Sequence, residues 1–300
     1  MIARLRFIML VSSSAWYYEL LACPDCTQDI ALSDGILRCL SCSYSAPLGD
    51  LRSHDPQPFV TTMRRDLRFD PIKTLAALET SAPASTYQGP RAIRDSNSLM
   101  SGIMQWFDKP CHVLDLGCGP KDQKLPVEFL GHSYVGVDYD STKADLLADG
   151  HALPFRSESM DCVLSYAVLE HLHNPYIAIS EIERVLRPGG LYVGTVSQGE
   201  PFHHSYFHHT AWALLSLFAS RPSLRPVRMW PSGDTLGSLG RMGSYSKPVR
   251  KSLALLDAFN IATPWLTPRK ARLPAKDLQI DAIHRAGSIA FLVEKVASGA

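Results

Sequence analysis

The sequence contains little of what marks membrane, disordered or fibrous proteins. No apolar run approaches the ~20 residues that cross a bilayer, and the longest, residues 211–219, is interrupted by Ser216. With 46% apolar and 20% charged residues, the chain is not a wholly disordered protein, a collagen-like repeat or a coiled coil. A formal net charge of +1 argues neither for nor against an anionic partner. We therefore expect a soluble globular enzyme of one large domain or two unequal ones, without a transmembrane segment.

Cysteine is also scarce. Seven cysteines in 300 residues are an odd number and too few for a disulfide scaffold. Three of them, Cys111, Cys118 and Cys162, lie singly in or beside apolar segments, where free cysteine behaves as a small hydrophobe. This usage predicts a reducing compartment and hence a cytoplasmic protein. Residues 7–11 are too short an apolar run for the centre of a secretory signal, so we expect none.

The remaining four cysteines form two Cys-x-x-Cys pairs, Cys23 with Cys26 and Cys39 with Cys42, separated by twelve residues. Two tight turns that each carry two thiolates can complete a tetrahedron around zinc. Two disulfides or two redox pairs are the alternative, but neither pair has a thioredoxin-like strand-helix context. Because all four positions are taken by protein ligands, the predicted metal is structural.

Residues 17–52 are accordingly predicted to form a zinc ribbon, with strands at 17–21 and 35–38 leading into the two pairs. Residues 21–26 and 37–42 resemble the small zinc ribbons found on or beside methyltransferases. Residues 53–90 hold five prolines and no sustained periodicity, which predicts a linker with one short helix near 72–78.

From residue 111 onward, short apolar runs alternate with helical stretches, a pattern typical of a parallel sheet between helices. Helices are predicted at residues 174–186, 211–218 and 252–259. The predicted strands are residues 112–116, 134–137, 145–148, 162–165, 191–196 and 288–296.

The first of these strands ends in Asp115 and a Gly-x-Gly turn made of Gly117, Cys118 and Gly119. A dinucleotide-binding loop has a third glycine at the position that Asp122 occupies here, where an acidic side chain would repel a diphosphate. The loop therefore suits an adenosine ligand without phosphate, such as S-adenosylmethionine (SAM).

Two more acids follow strand ends. Asp138 ends the next strand, where a carboxylate can accept both ribose hydroxyls. Asp149 follows the third strand, with Gly150 beside it, and could accept the adenine amino group. Each acid alone could be a turn residue or a helix cap, but three acids at successive strand ends indicate a cofactor site.

Together these motifs resemble the class I SAM-dependent methyltransferases of the type 11 group. The matching stretches are residues 113–120, 134–138, 148–155, 160–171 and 184–190. The resemblance implies an α/β fold, a Rossmann-like sheet with helices on both faces, over residues 91–300. It also implies that Asp115, Gly117, Cys118 and Gly119 hold the methionine part of SAM, that Asp138 binds ribose, that Asp149 faces adenine, and that the backbone at Tyr166 borders the methionine part.

The acceptor side is less defined by the sequence. A hydroxyl acceptor usually needs a general base, and the candidates are His171, after the fourth strand, and His203 and His208 in the His/Tyr-rich segment 201–210. His171 has an alternative interpretation as a helix-start histidine bonded to backbone. The domain also carries a basic insertion, residues 221–276, with eleven Lys or Arg and two Asp, a local net charge of +9. This charge favours a solvated face, with an anion-binding surface as the alternative.

These features favour a SAM-dependent methyltransferase that O-methylates a small-molecule or glycan-type acceptor. The alternative is an RNA base methyltransferase of the kind that acts on rRNA, with the ribbon and the basic insertion meeting phosphates. A second alternative is a SAM-binding scaffold without turnover. The protein partner of the ribbon, if it has one, is not indicated by the sequence.

Overall fold

A computed structural model of the chain describes residues 15–53, 70–83, 103, 106–199, 204–232, 246–262 and 273–297. Over these ranges, none of the helices combines the length and apolarity that crossing a membrane requires.

The N-terminal unit is a three-stranded antiparallel sheet in the order β1-β2-β3. Its strands are β1 (Ile30–Ser33), β2 (Ile36–Cys39) and β3 (Ser45–Pro47). The predicted strand at 17–21 is wrong, because Trp16–Leu20 form a 3-10 helix. Their aromatic rings favour a strand by propensity, but Tyr17 is buried in the core and Trp16 stacks on His112 with ring centroids 4.2 Å apart.

The main domain is built on a seven-stranded sheet in the order β6-β5-β4-β7-β8-β10-β9. The strands from β6 to β8 are parallel, and β10 is antiparallel to both β8 and β9. The seven strands are β4 (His112–Leu116), β5 (Ser133–Asp138), β6 (Leu146–Leu147), β7 (Met160–Tyr166), β8 (Leu186–Ser197), β9 (Leu224–Pro231) and β10 (Ser288–Lys295).

Helices cover both faces of this sheet. One apolar cluster joins Leu114, Val135 and Val163 to helix residues 178–185 and 214–218, and a second joins Val113 and Leu164 to residues 103 and 127 on the opposite face. The helices are α1 (Pro71–Ala77), α2 (Lys124–Phe129), α3 (Pro175–Val185), α4 (Ala211–Ala219), α5 (Lys247–Ala262) and α6 (Ala275–Arg285), with a 3-10 helix at Leu169–His171.

The six strands predicted from residue 111 onward are all present, and the Rossmann-like fold class is confirmed. The sequence analysis missed β9, because Pro226 and Pro231 interrupt its apolar pattern. Proline is tolerated there because β9 is an edge strand, and the pairing with β10 shifts register between Leu292 and Val293, beside Pro226.

The predicted linker contains α1, close to the helix predicted at 72–78. Helix α1 contacts α4 and α6, and Glu79 forms a parallel bridge with Arg228 of β9. The described part of this segment is therefore held against the main domain, while the domain boundaries themselves stay predictions.

A buried ion pair on α3 fixes the segment that follows β6. The side chain of Glu181 is only 2% exposed, and Arg184 donates to both of its carboxylate oxygens at 2.7 Å. Glu181 also accepts the Leu153 N–H at 2.8 Å, and Arg184 donates to the carbonyls of Leu153 and Phe155. Residues 153–155 are thus held to α3 by three hydrogen bonds, and two more join the charged pair that makes them.

We expect Glu181→Ala to lower the free energy of unfolding by about 3–5 kcal/mol, because it leaves the largely buried Arg184 guanidinium without its counter-charge and the buried Leu153 N–H without its acceptor. The matched control is Glu128→Ala, which removes the half-exposed carboxylate of the Lys124–Glu128 pair on α2 and should cost less than about 1 kcal/mol. Urea unfolding of the two variants measures both values, and equal losses would contradict the assigned role of Glu181.

Candidate functional site

A cleft of about 630 Å³ lies at the carboxyl ends of β4, β5 and β7. This is the edge at which open α/β sheets bind ligands. Three groups of residues line it: the loop after β4, the acids and turns after β5 and β6, and, after β7, residues 167–168 and 171–173 together with Tyr206.

The loop after β4 depends on glycine at position 117. Gly117 has φ +68°, and a Cβ added there would lie 2.4 Å from a methyl carbon of Val168. The Gly117 and Cys118 N–H groups donate to the Val137 carbonyl at 2.9 and 3.0 Å. Gly119 follows with φ +48°. The loop is therefore held against the end of β5, and its backbone reaches the cleft through Gly117.

The side chains of Asp115 and Cys118 are buried beneath the backbone of this loop and are not part of the cleft lining. Asp115 is 2% exposed and accepts the Tyr134 hydroxyl at 2.6 Å. Burial raises the pKa of Asp115 to about 7, although the hydrogen bond from Tyr134 opposes the shift. The Cys118 thiol is also buried, and burial raises its pKa to about 12. Cys118 therefore packs under the loop as an un-ionised thiol.

Asp138 connects the two loops that flank the cleft. One carboxylate oxygen accepts the Gly119 N–H at 2.9 Å. The other accepts the N–H groups of Asp140 and Ser141 at 3.2 and 3.1 Å. Ser141 closes the arrangement, because its hydroxyl donates to the Gly119 carbonyl at 2.7 Å. The predicted ribose acid is thus fixed in the wall of the cleft by backbone donors.

Asp149 lines the cleft together with two histidines. Its Oδ1 accepts both the backbone N–H of His151, at 2.8 Å, and the Nδ1 of His151, at 2.6 Å. The His151 Nε2 accepts the Asn174 N–H at 3.2 Å, so the neutral ring carries its proton on Nδ1. Burial raises the pKa of Asp149, but the hydrogen bonds from His151 outweigh it and hold the pKa below its usual range.

The rings of His151 and His173 lie 4.1 Å apart, and both line the cleft. Gly150 lies beside them, where a Cβ would be 3.4 Å from Leu172. The sequence analysis assigned no role to His173 or to Tyr139, the residue after Asp138, which also lines the cleft. The only feature of the sequence that could have pointed to Tyr139 is its position directly after Asp138, the acid that ends β5.

Tyr166 ends β7, and its side chain points away from the cleft into the second apolar cluster. Its hydroxyl is buried, and burial raises its pKa well above the usual range. The two residues after it, Ala167 and Val168, line the cleft instead.

Of the three base candidates, the structure brings His171 to the cleft. Its Nδ1 lies 3.3 Å from the His204 carbonyl oxygen. His208 is exposed and is not among the residues that line the cleft. His203 lies outside the described residues.

Tyr206 lines the cleft from the segment after β8, a role that the sequence analysis missed. Its N–H donates to the Glu170 carbonyl at 2.7 Å, and the fully buried Glu170 carboxylate accepts the Ser197 N–H at 3.0 Å. His209, also buried, donates its N–H to the Ser197 carbonyl at 2.8 Å. Residues 204–209 are therefore attached to the 3-10 helix that carries His171.

A second candidate site lies in the N-terminal unit. The four sulfur atoms of Cys23, Cys26, Cys39 and Cys42 all lie within 4.8 Å of one another. The pair distances are 3.7 Å for Cys23 with Cys42 and 3.4 Å for Cys26 with Cys39. Four ligands at the Zn–S distance of about 2.3 Å place neighbouring sulfurs about 3.8 Å apart. The four thiols can therefore hold one tetrahedral metal ion.

The second turn stabilises thiolate on Cys39. Its sulfur accepts the N–H groups of Ser41 and Cys42 at 3.3 and 3.4 Å. Burial raises the pKa of the Cys39 thiol, but these donors outweigh it and lower the pKa to about 7. Thiolate is the form that binds zinc.

The described part of the basic insertion contains two ion pairs with glutamates. Arg221 lies 3.5 Å from the Glu183 carboxylate, and Arg225 pairs with Glu294 at 2.5 Å. Residues 233–245 and 263–272 of the insertion lie outside the described residues.

Part of the chain matches a known protein family. Residues 114–194 match the Methyltransf_11 family, described as a methyltransferase domain. An uncharacterised methyltransferase of Mycolicibacterium vanbaalenii is 35% identical over 151 residues, which cover 44% of this chain and 56% of that protein. A ubiquinone biosynthesis O-methyltransferase of Chelativorans sp. is 26% identical over 147 residues, covering 44% and 53%. The chain spans about half the length of these two curated relatives.

Two solved structures are similar at low sequence identity. The [4+2]-cyclase SpnF aligns with a TM-score of 0.43 and 18% identity, covering 76% of this chain and 92% of that chain. A geranyl diphosphate C-methyltransferase from Streptomyces coelicolor aligns with a TM-score of 0.41 and 13% identity, covering 66% and 76%.

For the thiol site we expect about one tightly bound zinc ion per chain, lost in Cys39→Ser after dialysis against a chelator, because three thiolates hold zinc less tightly than four. Ser41→Ala is the matched control, since it changes an exposed neighbour and keeps the N–H donated to Cys39. Elemental analysis measures the metal content. Protein purified without metal and without titratable thiols at these positions would instead show two disulfides.

Proposed function

We propose that the chain binds SAM in the cleft and transfers its methyl group to an acceptor, because residues 114–194, which build most of the cleft, match the methyltransferase-domain family. The observation that carries this proposal is the Asp138 carboxylate, which lines the cleft while bonded to Gly119 of the loop after β4. One fixed acid therefore lies next to the glycine loop, where an adenosine ribose and its substituent would meet.

The chemistry of the cleft fits SAM. Asp138 and Asp149 are carboxylates in its lining, and they would accept hydrogen bonds from the ribose hydroxyls and the adenine amino group. The bare backbone at Gly117 would border the methionine part. A ligand with a cationic sulfonium and no phosphate suits a cleft with several acids. When bound, SAM supplies the electrophilic methyl group, and the protein residues bind and orient it.

For the acceptor we propose a hydroxyl group of a small molecule or a glycan. His171 supports it, because its imidazole lines the cleft with Nδ1 3.3 Å from the His204 carbonyl oxygen, and imidazole is the side chain that most often takes a hydroxyl proton in catalysis. Tyr206 and His173 add polar groups in the same cleft. One relative carries the name of an O-methyltransferase, which agrees with this chemistry. His203 and His208 stay base candidates from the sequence alone.

An RNA acceptor has less support from the described residues. Arg221 and Arg225 of the basic insertion are already paired with glutamates, so fewer cations are left to meet phosphates. A scaffold that binds SAM without turnover is the remaining alternative, and the acceptor experiment below separates it from both enzymes.

We further propose that the thiol cluster holds a structural zinc ion and that the protein works in the cytoplasm. The cysteine pattern supports the compartment, because four thiols that can share one metal ion and three singly placed buried cysteines fit a reducing environment.

The cofactor proposal predicts that Asp138→Ala weakens SAM binding about a hundredfold, because two charge-assisted hydrogen bonds to ribose are lost. Asp277→Ala, an exposed acid on α6, is the control and should bind SAM like the wild type. Isothermal titration calorimetry measures the dissociation constants, with circular dichroism to verify folding. Unchanged affinity in Asp138→Ala would refute the cofactor assignment.

The acceptor proposal predicts that methyl-labelled SAM, incubated with the protein and cell lysate, labels the small-molecule or glycan fraction. His171→Ala should lower this labelling about a hundredfold or more while SAM affinity stays within about twofold, since a general base contributes about 10²–10⁴ in rate. Label in RNA would support the alternative enzyme. SAM binding with no labelled fraction would support the scaffold.

A further inference from the structure

The N-terminal unit is joined to the cofactor side of the main sheet through residues 48–53, here called the ribbon tail. Asp50 of the tail forms a parallel bridge with Leu147 of β6. Leu51 donates its N–H to the Leu147 carbonyl at 2.8 Å, and Leu147 donates to the Gly49 carbonyl at 2.7 Å. The tail thus pairs with the β6 edge of the main sheet. The pairing is at Leu147, two residues before Asp149.

The end of the tail is also tied to the thiol-bearing unit. Tyr44, next to β3, donates its hydroxyl to the Arg52 carbonyl at 3.3 Å. Ser53 donates to the carboxylate of Asp25, which lies between Cys23 and Cys26, at 2.6 Å. The position of Arg52 is therefore set by the first Cys-x-x-Cys turn on one side and by β6 on the other.

The side chain of Arg52 reaches the wall of the cleft. Its guanidinium carbon lies 5.6 Å from the centroid of the Tyr139 ring, within the range of a cation–π contact. One guanidinium nitrogen lies 3.4 Å from the Tyr139 carbonyl oxygen. The planar group is held in this orientation by two hydrogen bonds to Asp50, of 2.8 and 2.6 Å.

Tyr139 is the residue between Asp138 and Asp140, and all three line the cleft. Tyr139 is 60% exposed, and Arg52 is the cation that the described structure places over its ring. Without that contact, the side chain would be free to take other rotamers at the edge of the adenosine region.

We propose that Arg52 is a positioning residue for cofactor binding, contributed by the N-terminal unit, and that it acts by holding Tyr139 in the wall of the cleft. The inference rests on the proposed SAM function. It gives the N-terminal unit a role in the cofactor site itself, beyond that of a separate docking module.

The test compares SAM affinity by calorimetry in the wild type and in three single variants. Arg52→Ala should weaken binding about three- to tenfold, the effect of losing a cation–π contact and a charge-assisted hydrogen bond. Arg52→Lys, which keeps a cation, should recover part of the loss. Arg38→Ala, an exposed arginine of β2, is the matched control and should bind like the wild type.

The decisive comparison is the double variant with Tyr139→Ala. If Arg52 acts through the ring, Arg52→Ala should change affinity by less than about twofold once the ring is gone. An equal loss in both backgrounds, or no loss in the wild-type background, would overturn the proposal.

Hydrogen exchange of the ligand-free protein keeps this outcome separate from failure of the SAM proposal. The Asp140 and Ser141 N–H groups donate to Asp138, so a displaced Tyr139 should increase their exchange rates in Arg52→Ala. If the wild type does not bind SAM, the proposed function fails, and exchange alone decides: faster exchange at residues 140 and 141 supports the positioning role, and unchanged exchange overturns it.

Discussion

The cleft depends on one carboxylate that organises backbone on both sides of it. Asp138 accepts N–H groups from Gly119, Asp140 and Ser141. These donors come from the turn after β4 and the turn after β5, two strands that lie side by side in parallel register. Because carboxylate acceptors form stronger hydrogen bonds than neutral ones, this residue fixes the distance between the glycine loop and the acidic wall. The surface that a ligand would contact is therefore preorganised, and ordering it on binding would cost little free energy.

Two buried glutamates further from the cleft also fix backbone, each by accepting a hydrogen bond from a backbone N–H group. Glu181 holds the Leu153 N–H and orients Arg184 toward two carbonyls, which fixes the chain just after Asp149 and Gly150. Glu170 accepts the Ser197 N–H, while its own carbonyl accepts from Tyr206. Burying a carboxylate costs free energy unless it is hydrogen-bonded. The hydrogen bonds that offset this cost also position residues of the cleft. Part of the support for the cleft therefore comes from buried carboxylates inside the main domain.

Sequence pattern predicted the parts of the fold that depend on local periodicity and strand ends. The parallel strands could be found from their apolar runs, and the acids after them, Asp138 and Asp149, from their position at the carboxyl edge. Residues whose contribution depends on how a chain turns could not be found in this way. Tyr206 reaches the cleft and His208 does not, because backbone hydrogen bonds to Glu170 decide how residues 204–209 run. The 3-10 helix at Trp16–Leu20 was predicted as a strand because aromatic propensity carries no information about long-range packing such as Trp16 on His112.

The connection between the N-terminal unit and the main domain changes how a metal in that unit would matter. A module joined by a flexible linker could lose its metal without affecting a distant cleft. Here the ribbon tail pairs with β6, Leu21 forms a bridge with Phe155, and Arg156 pairs with Asp29. These contacts fall on the segments that precede and follow Asp149, and Arg52 extends them to the residue after Asp138. Each of the two acids, Asp138 and Asp149, therefore lies within two residues of a contact with the thiol-bearing unit. A bound structural zinc stabilises such a unit through its ligands. Loss of that zinc would therefore loosen the wall of the cleft as well as the N-terminal unit.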